Sequence, residues 1–484
     1  MAESLNEKLL SNVGVKEEAA VCEEKLVDKI WSETKKLWVV AGPAIFTRFS
    51  MFGLNVISQA FVGHIGAKEL AAYALVFTVI LRLANGLLVG MASSLETLCG
   101  QAYGAKQHHM LGVYLQRSWI VLFICSIFLL PLFVFTTPLL KALGQDPEIS
   151  EISGTVSLWF IPIMFSYIIS FTTQVFLQSQ SKNRIIGFLA AFSLSIHIFF
   201  SWLLTVKYKF RLAGAMTSTI LAYWIPNAGQ LIYITCGWCG ETWKGFSPLA
   251  FKDLWPVIKL SVIEVWYNTV LILLTGNMKN SEVAIDALSI CININGWEMM
   301  ISHGFMAAAG VRVSNELGRR RSKAAKFSIV TATLTSFAIG FALFLFFLFI
   351  RGHVAYVFTE KEEVAIAVAG LSPLLACSIL LNSVQPVLTG VSIGAGWQTI
   401  VVYVNVACYY LLGIPIGAAL GYVINLQVKG VWIGMLLGTF VQTVALVVIT
   451  YRTDWDEQVL LARKRVKKWS VPESEDSESN SQDV

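Results

Sequence analysis

Long apolar stretches separated by short polar runs dominate this chain. A helix that crosses a bilayer needs about 20 mostly apolar residues. Twelve stretches reach that length. Six lie at 37–62, 70–103, 111–140, 152–177, 185–206 and 212–236. Six more lie at 254–275, 283–317, 325–350, 364–393, 400–423 and 431–451. The pattern predicts an all-α polytopic membrane protein with 12 transmembrane helices. Several stretches exceed an untilted crossing, so tilt or kinks are expected. Pro43, Pro162, Pro226, Pro373, Pro386 and Pro415 fall inside them. Each removes a backbone donor and can bend its helix, and bends inside a bundle often line a cavity.

The two sets of six resemble each other. "GHIGAKELAAYAL" begins at Gly63 and "GNMKNSEVAIDAL" at Gly276, with Glu69/Glu282, Ala71/Ala284, Ala74/Ala287 and Leu75/Leu288 in step. Farther on, "GQAYGAK" at 100–106 parallels "SNELGRR" at 314–320 after a one-residue shift. An even number of helices per half brings the second half in from the same side. The repeats are therefore parallel, related by an axis near the membrane normal. The expected organisation is a disordered cytosolic tail (1–33), a six-helix lobe (34–236), a cytosolic linking loop (237–253), a second six-helix lobe (254–451) and a cytosolic tail (452–484). Two pseudo-symmetric lobes suit alternating access, with substrate between or within them.

Composition sharpens this reading. The chain is 56% hydrophobic and 14% charged, against roughly a quarter charged in soluble proteins. Most of it must lie in the bilayer, its first partner. The net charge of +5 is spread over loops and gives no case for a nucleic-acid partner. With the N-terminus inside, inner loops carry roughly twice the Lys and Arg of outer ones, as the positive-inside rule expects. The loop "KYKFR" at 207–211 runs against it. Twelve crossings then place both termini in the cytosol. The N-terminal residues lack a signal-peptide pattern, so the first membrane helix is expected to direct insertion. "WDEQVLLARKRVKKW" has apolar and basic faces at helical spacing. It suits either the inner leaflet surface or a solvated basic tail. "SEDSESNSQDV" reads as a disordered acidic tail. The lone CxxC at Cys236 and Cys239 lacks the second ligand pair of a zinc site.

No GxxxxGK[ST] phosphate loop is present, so no ATP and no other cofactor is expected. Energy must come from an ion gradient or from the substrate's own. Acids inside membrane helices are the candidates, since burying them is costly unless they are paired or functional. Glu264 leads, about 12 Å along its helix from Pro256. Asp286 and Glu298, on the next helix, are further candidates for proton coupling. Tyr267, Asn295, Trp297, Asn382, Gln385 and Pro386 are candidates for a substrate cleft. The aromatics could stack on a ligand, and the polar groups gather at the Pro386 break. Each has a structural alternative: Glu264 paired with Lys259, the polar groups as interhelical glue, the aromatics as packing. Glu96, Arg312 and Glu316 read as gate or structural residues, the last two one helical turn apart. Arg48 and Arg82 also fall inside the membrane, facing each other or a cavity. His197 reads as a hydrogen-bonded bundle histidine. No nucleophile, base and orienting group cluster, so no enzyme is expected. No metal site is expected either.

"MASSLETLCGQAYGAKQHHMLGVYLQRSW", "GVRVSNELG", "NSVQPVLTGVSIGAGWQ" and "YYLLGIPIGAALGY" resemble plant multidrug and toxic compound extrusion (MATE) transporters, the DETOXIFICATION proteins. The "NSVQPVL" form is similar to the transparent-testa branch. The resemblance implies two six-helix lobes around a V-shaped cleft. It implies exchange of protons for flavonoids, alkaloids, organic cations or other metabolites across the tonoplast (vacuolar) or plasma membrane. It implies that Glu264 is the proton-coupling glutamate of the second lobe. Asn382 stands where other plant members carry an aspartate, which argues against a two-carboxylate relay. A second departure is the short run between "KLS" and Glu264: roughly two helical turns are missing there. A lipid or amphiphile flippase and a transport-dead homologue are the alternative functions. Oligomeric state is left open.

Overall fold

Residues 26–248, 282–358, 361–424 and 426–469 are described by a computed structural model, and no strand occurs among them. Helices α1 (Leu26–Gly63), α2 (Ala67–Gly104), α3 (His108–Val134), α4 (Pro147–Ser179), α5 (Asn183–Lys207) and α6 (Arg211–Tyr233) build the first lobe. The second contains α7 (Glu282–Gly318), α8 (Ser322–Ile350), α9 (Glu362–Ala395), α10 (Gln398–Gly421) and α11 (Gln427–Arg452), followed by α12 (Trp455–Trp469). Eleven of the predicted stretches thus fall on described helices. The stretch 254–275, with Glu264 and Tyr267, lies outside the described residues.

Local chemistry explains the punctuation. Asp146 caps α4 by accepting from the backbone N–H of Glu148 and Ile149, with Pro147 in the first turn, where its missing N–H costs nothing. α9 breaks at 383–384. Pro386 there offers no N–H to the Asn382 carbonyl four residues back. The Ser383 carbonyl is satisfied from α8 by the Ser336 hydroxyl at 2.6 Å. π-helical turns occur at Val76–Leu81 within α2, at Trp202–Lys207 at the end of α5 and at Val406–Gly413 within α10. The "YYLLGIPIGAALGY" run has a packing cause. Gly417 on α10 lies so close to Gly434 on α11 that a Cβ on the latter would collide with backbone, the small-residue packing expected where lipid supplies no hydrophobic drive.

Two structural findings revise the expected boundaries. Helix α1 begins at Leu26, within the stretch expected to be disordered, because Glu33, Leu37, Val40 and Ala44 continue one buried stripe down to the inner end. The end at which the described chain both begins and finishes is called the inner end, after the orientation that the charge pattern predicts. Helix α12, expected on the leaflet surface or in solvent, instead lays its apolar face on protein. Trp455 and Ala462 are 2% and 0% exposed, and the Trp455 and Trp397 rings are 5.4 Å apart. The Trp397 indole donates to Gln458 at 3.0 Å, and Arg465 donates to the Ala395 carbonyl at 2.7 Å. α12 also touches α2, so it straps the inner end across both lobes.

Candidate functional site

The lobes meet along α7, which packs on α1 and α2 of the first lobe. At the inner end the two repeat motifs face each other. A Cβ on Gly104 would collide with the Asn315 carbonyl, and a Cβ on Gly318 would collide with the Gln101 carbonyl. Gly104 and Gly318 are equivalent in the repeat, as are Gln101 and Asn315. The two contacts are therefore copies of one contact, related by the pseudo-two-fold axis, and Gly100 meets its equivalent Ser314 between them. This is the self-complementary geometry of a two-fold interface, built here within one chain. Only glycine permits the approach, which gives the "GQAYG" and "SNELG" motifs a physical cause.

Directed bonds fix the seam. Thr97 donates to the Ile393 carbonyl at 2.5 Å, Gln398 donates to Thr97 at 2.7 Å, and Gln101 donates to the Gly394 carbonyl at 3.1 Å. Asn315 donates across the lobes to the Ser179 carbonyl at 3.1 Å. Arg312 donates to both Glu33 oxygens, at 2.7 and 3.0 Å, and to Glu316 at 2.9 Å. Ser328 on α8 donates to Glu33 at 2.5 Å, and Arg319 pairs with Glu316 at 3.3 Å. Arg312 and Glu33 are 10% and 7% exposed, so this network is desolvated and holds the guanidinium between two carboxylates. Of the residues read as gates, Arg312 and Glu316 thus join this latch. Glu96 is half-buried on α2, with its carboxylate against Gly310 of α7.

Toward mid-membrane the seam changes character. Trp38 meets Phe305 with ring centroids 5.3 Å apart, and Phe52 meets Trp297 edge-on at 6.4 Å. Trp297 remains 41% exposed. Glu298 is 4% exposed on the adjoining face of α7. Its Oε1 accepts from Ser302 at 2.5 Å, while its Oε2 has no hydrogen-bond partner. Asn382, at the α9 break, donates to Asn295 on α7 at 3.1 Å, which brings two expected cleft residues together. Gln385 is half-buried and donates to Thr389 at 3.2 Å. The Pro386 ring is buried, so it shapes the break rather than facing open space. Asp286 lies near the outer start of α7, away from Glu298. His197 is fully buried, 3.1 Å from Ser58 and 2.9 Å from Ser218. No cluster of metal-ligating side chains occurs among the described residues.

Sequence reasoning missed Glu33, having assigned it to a tail. The signal was present: Glu33, Leu37, Val40 and Ala44 recur at helical spacing. It also did not foresee that the duplicated motifs touch each other.

Two equivalent helical lobes, closed on each other at one end by glycine contacts and a buried ion network, have the architecture of a polytopic membrane transporter. The chain belongs to the MATE family: the MatE family model matches residues 43–203 and 256–419. It is 62% identical over 458 residues to Protein DETOXIFICATION 21 of Arabidopsis thaliana, covering 93% of each chain. It is 59% identical over 480 residues to Protein DETOXIFICATION 20 of the same plant, covering 98% of this chain and 97% of that one. The crystal structure of the eukaryotic MATE transporter AtDTX14 matches with a TM-score of 0.84 and 32% identity, over 90% of this chain and 99% of that one. The architecture is thus the all-helical MATE fold, and the protein is an integral membrane transporter.

Proposed function

We propose that the protein is a proton-coupled antiporter that removes organic metabolites or xenobiotics from the cytosol, with its inner end facing the cytosol. The observation that carries this reading is Glu298, a carboxylate buried in the bundle with one oxygen unpartnered. An intramembrane acid in that state is a functional candidate by default, and a proton on Oε2 is the simplest partner for it. Glu298 lies one helical turn from Asn295, which is bonded to the broken helix α9. Protonation of Glu298 is therefore positioned to bias the α9 break and, through Gly390 and Gly394 packed on α7, the inner seam. The relatives named DETOXIFICATION support removal of unwanted compounds; flavonoids, alkaloids and organic cations are the proposed substrate classes. Glu264 and Asp286 remain proposed partners in proton coupling. Arg312 gives the flippase reading no support, because it is neutralised by Glu33 and Glu316 rather than presented to headgroups.

The test is substrate movement driven by an imposed pH gradient in proteoliposomes, for the wild type, Glu298→Gln and Glu264→Gln. Each variant should retain expression and substrate binding while gradient-driven movement falls at least tenfold. Undiminished gradient-driven transport in both variants would remove these acids from the mechanism.

A further inference from the structure

Arg48 is the charged group at the seam that the latch does not absorb. Ala41, Ile45, Arg48 and Phe52 recur at helical spacing on α1, and this stripe faces α7. Gly304 packs against Ala41 and Ile45, and Trp297 packs against Phe52. Arg48 therefore lies between a closed level and the partly exposed Trp297. Glu96 on α2 and His303 on α7 both interact with it electrostatically, which places it inside the protein and not on the lipid face. Its side chain is nevertheless exposed. A guanidinium that is surrounded by protein yet accessible lines an open space between the lobes. Its bonding differs sharply from that of Arg312. Arg312 is held by three close bonds to carboxylates, whereas no hydrogen bond or close ion pair engages Arg48 among the described residues. Five N–H donors are thus presented in a fixed fork. The Glu96 carboxylate, whose charge acts on the guanidinium through space, is itself packed against Gly310.

From this geometry we propose that Arg48 is a substrate-recognition residue, selecting organic molecules that join an aromatic body to an anionic group. The anion takes the fork bidentately, and the aromatic body lies against the exposed part of Trp297. A permanent positive charge at this level disfavours organic cations. The inference rests on the transport reading above and narrows its substrate class to the acidic members. The same chemistry would accept the phosphate of a lipid headgroup, so the test separates the two sources.

The full chain is reconstituted in liposomes under an imposed pH gradient, with radiolabelled p-aminohippurate as the aromatic carboxylate and ethidium as the aromatic cation. Scrambling of a fluorescent phosphatidylserine forms a third arm. The wild type should move p-aminohippurate. Arg48→Gln should raise its KM at least tenfold with little change in kcat, and should leave ethidium movement unchanged or faster. Arg48→Lys, which keeps the charge but loses the fork, should fall between. It also serves if Arg48→Gln does not reach the membrane. Loss of phosphatidylserine scrambling in Arg48→Gln, without p-aminohippurate movement in the wild type, assigns the anion to a headgroup. If the wild type moves neither probe, equilibrium binding of p-aminohippurate decides. Binding that Arg48→Gln abolishes upholds the site while the transport reading fails, and absent binding overturns the site. An unchanged KM for p-aminohippurate in Arg48→Gln, or a wild type that moves only ethidium, also overturns the inference.

Discussion

Glu33→Gln should unlatch the inner end. The substitution keeps shape and removes the charge that Arg312 meets with two bonds, in a setting where both side chains are at most 10% exposed. Breaking a buried ion pair by removing one partner costs about 3–5 kcal/mol, because a charge is left uncompensated. Glu316 remains 2.9 Å from Arg312, so the lower end, about 3 kcal/mol, is the appropriate figure. At about 1.4 kcal/mol per decade this is roughly a hundredfold shift in the closed-to-open ratio. It is an upper bound, reached in full only when the freed guanidinium is completely rehydrated as the seam opens. The reporter is Ser314→Cys, fully buried beside Gly100, in a background lacking the eight native cysteines. Maleimide labelling at position 314 should accelerate by one to two orders of magnitude when Glu33→Gln is added. An unchanged rate would mean that the pair does not hold the lobes together, and the latch argument would fail.

Other substitutions probe separate parts of the account. Gly318→Val drives a side chain into the Gln101 carbonyl; cross-linking across the inner seam should be lost while the protein still inserts in membranes. Asn382→Asp places an acid 3.1 Å from Asn295, and transport should gain a second pH-dependent step, visible as a steeper pH profile. Trp455→Ala empties a site only 2% exposed. It should lower stability in detergent by about 3 kcal/mol, as large aromatic truncations do, read as a lower thermal unfolding midpoint.

Much of the fold was legible because membrane burial demands long apolar runs, and these mark helices without any knowledge of their neighbours. Boundaries were less so. The helix at 26–36 mixes exposed Leu26, Val27, Ile30 and Trp31 with charged residues, and only the recurrence of Glu33 with Leu37 and Val40 marks its buried side. The repeat was visible as matched residues, yet that Gly104 meets Asn315 while Gly318 meets Gln101 is a fact of packing. Sequence spacing can pair Arg312 with Glu316 along one helix, but not with Glu33, hundreds of residues away. The contact of Asn295 with Asn382 was equally hidden, since polar residues in a bundle announce a partner without naming it. The amphipathic pattern of α12 was plain, but amphipathicity does not say whether lipid, water or protein meets the apolar face. Here Trp397 and Ala395 decide it.

The most direct test of proton-coupled antiport is simultaneous measurement of proton and substrate flux in proteoliposomes while the pH gradient is reversed. The account predicts that substrate flux reverses with the gradient, that protons move the opposite way, and that both fluxes fall together in Glu298→Gln. Substrate movement that ignores the gradient, or proton flux that persists at full rate in Glu298→Gln, would contradict it.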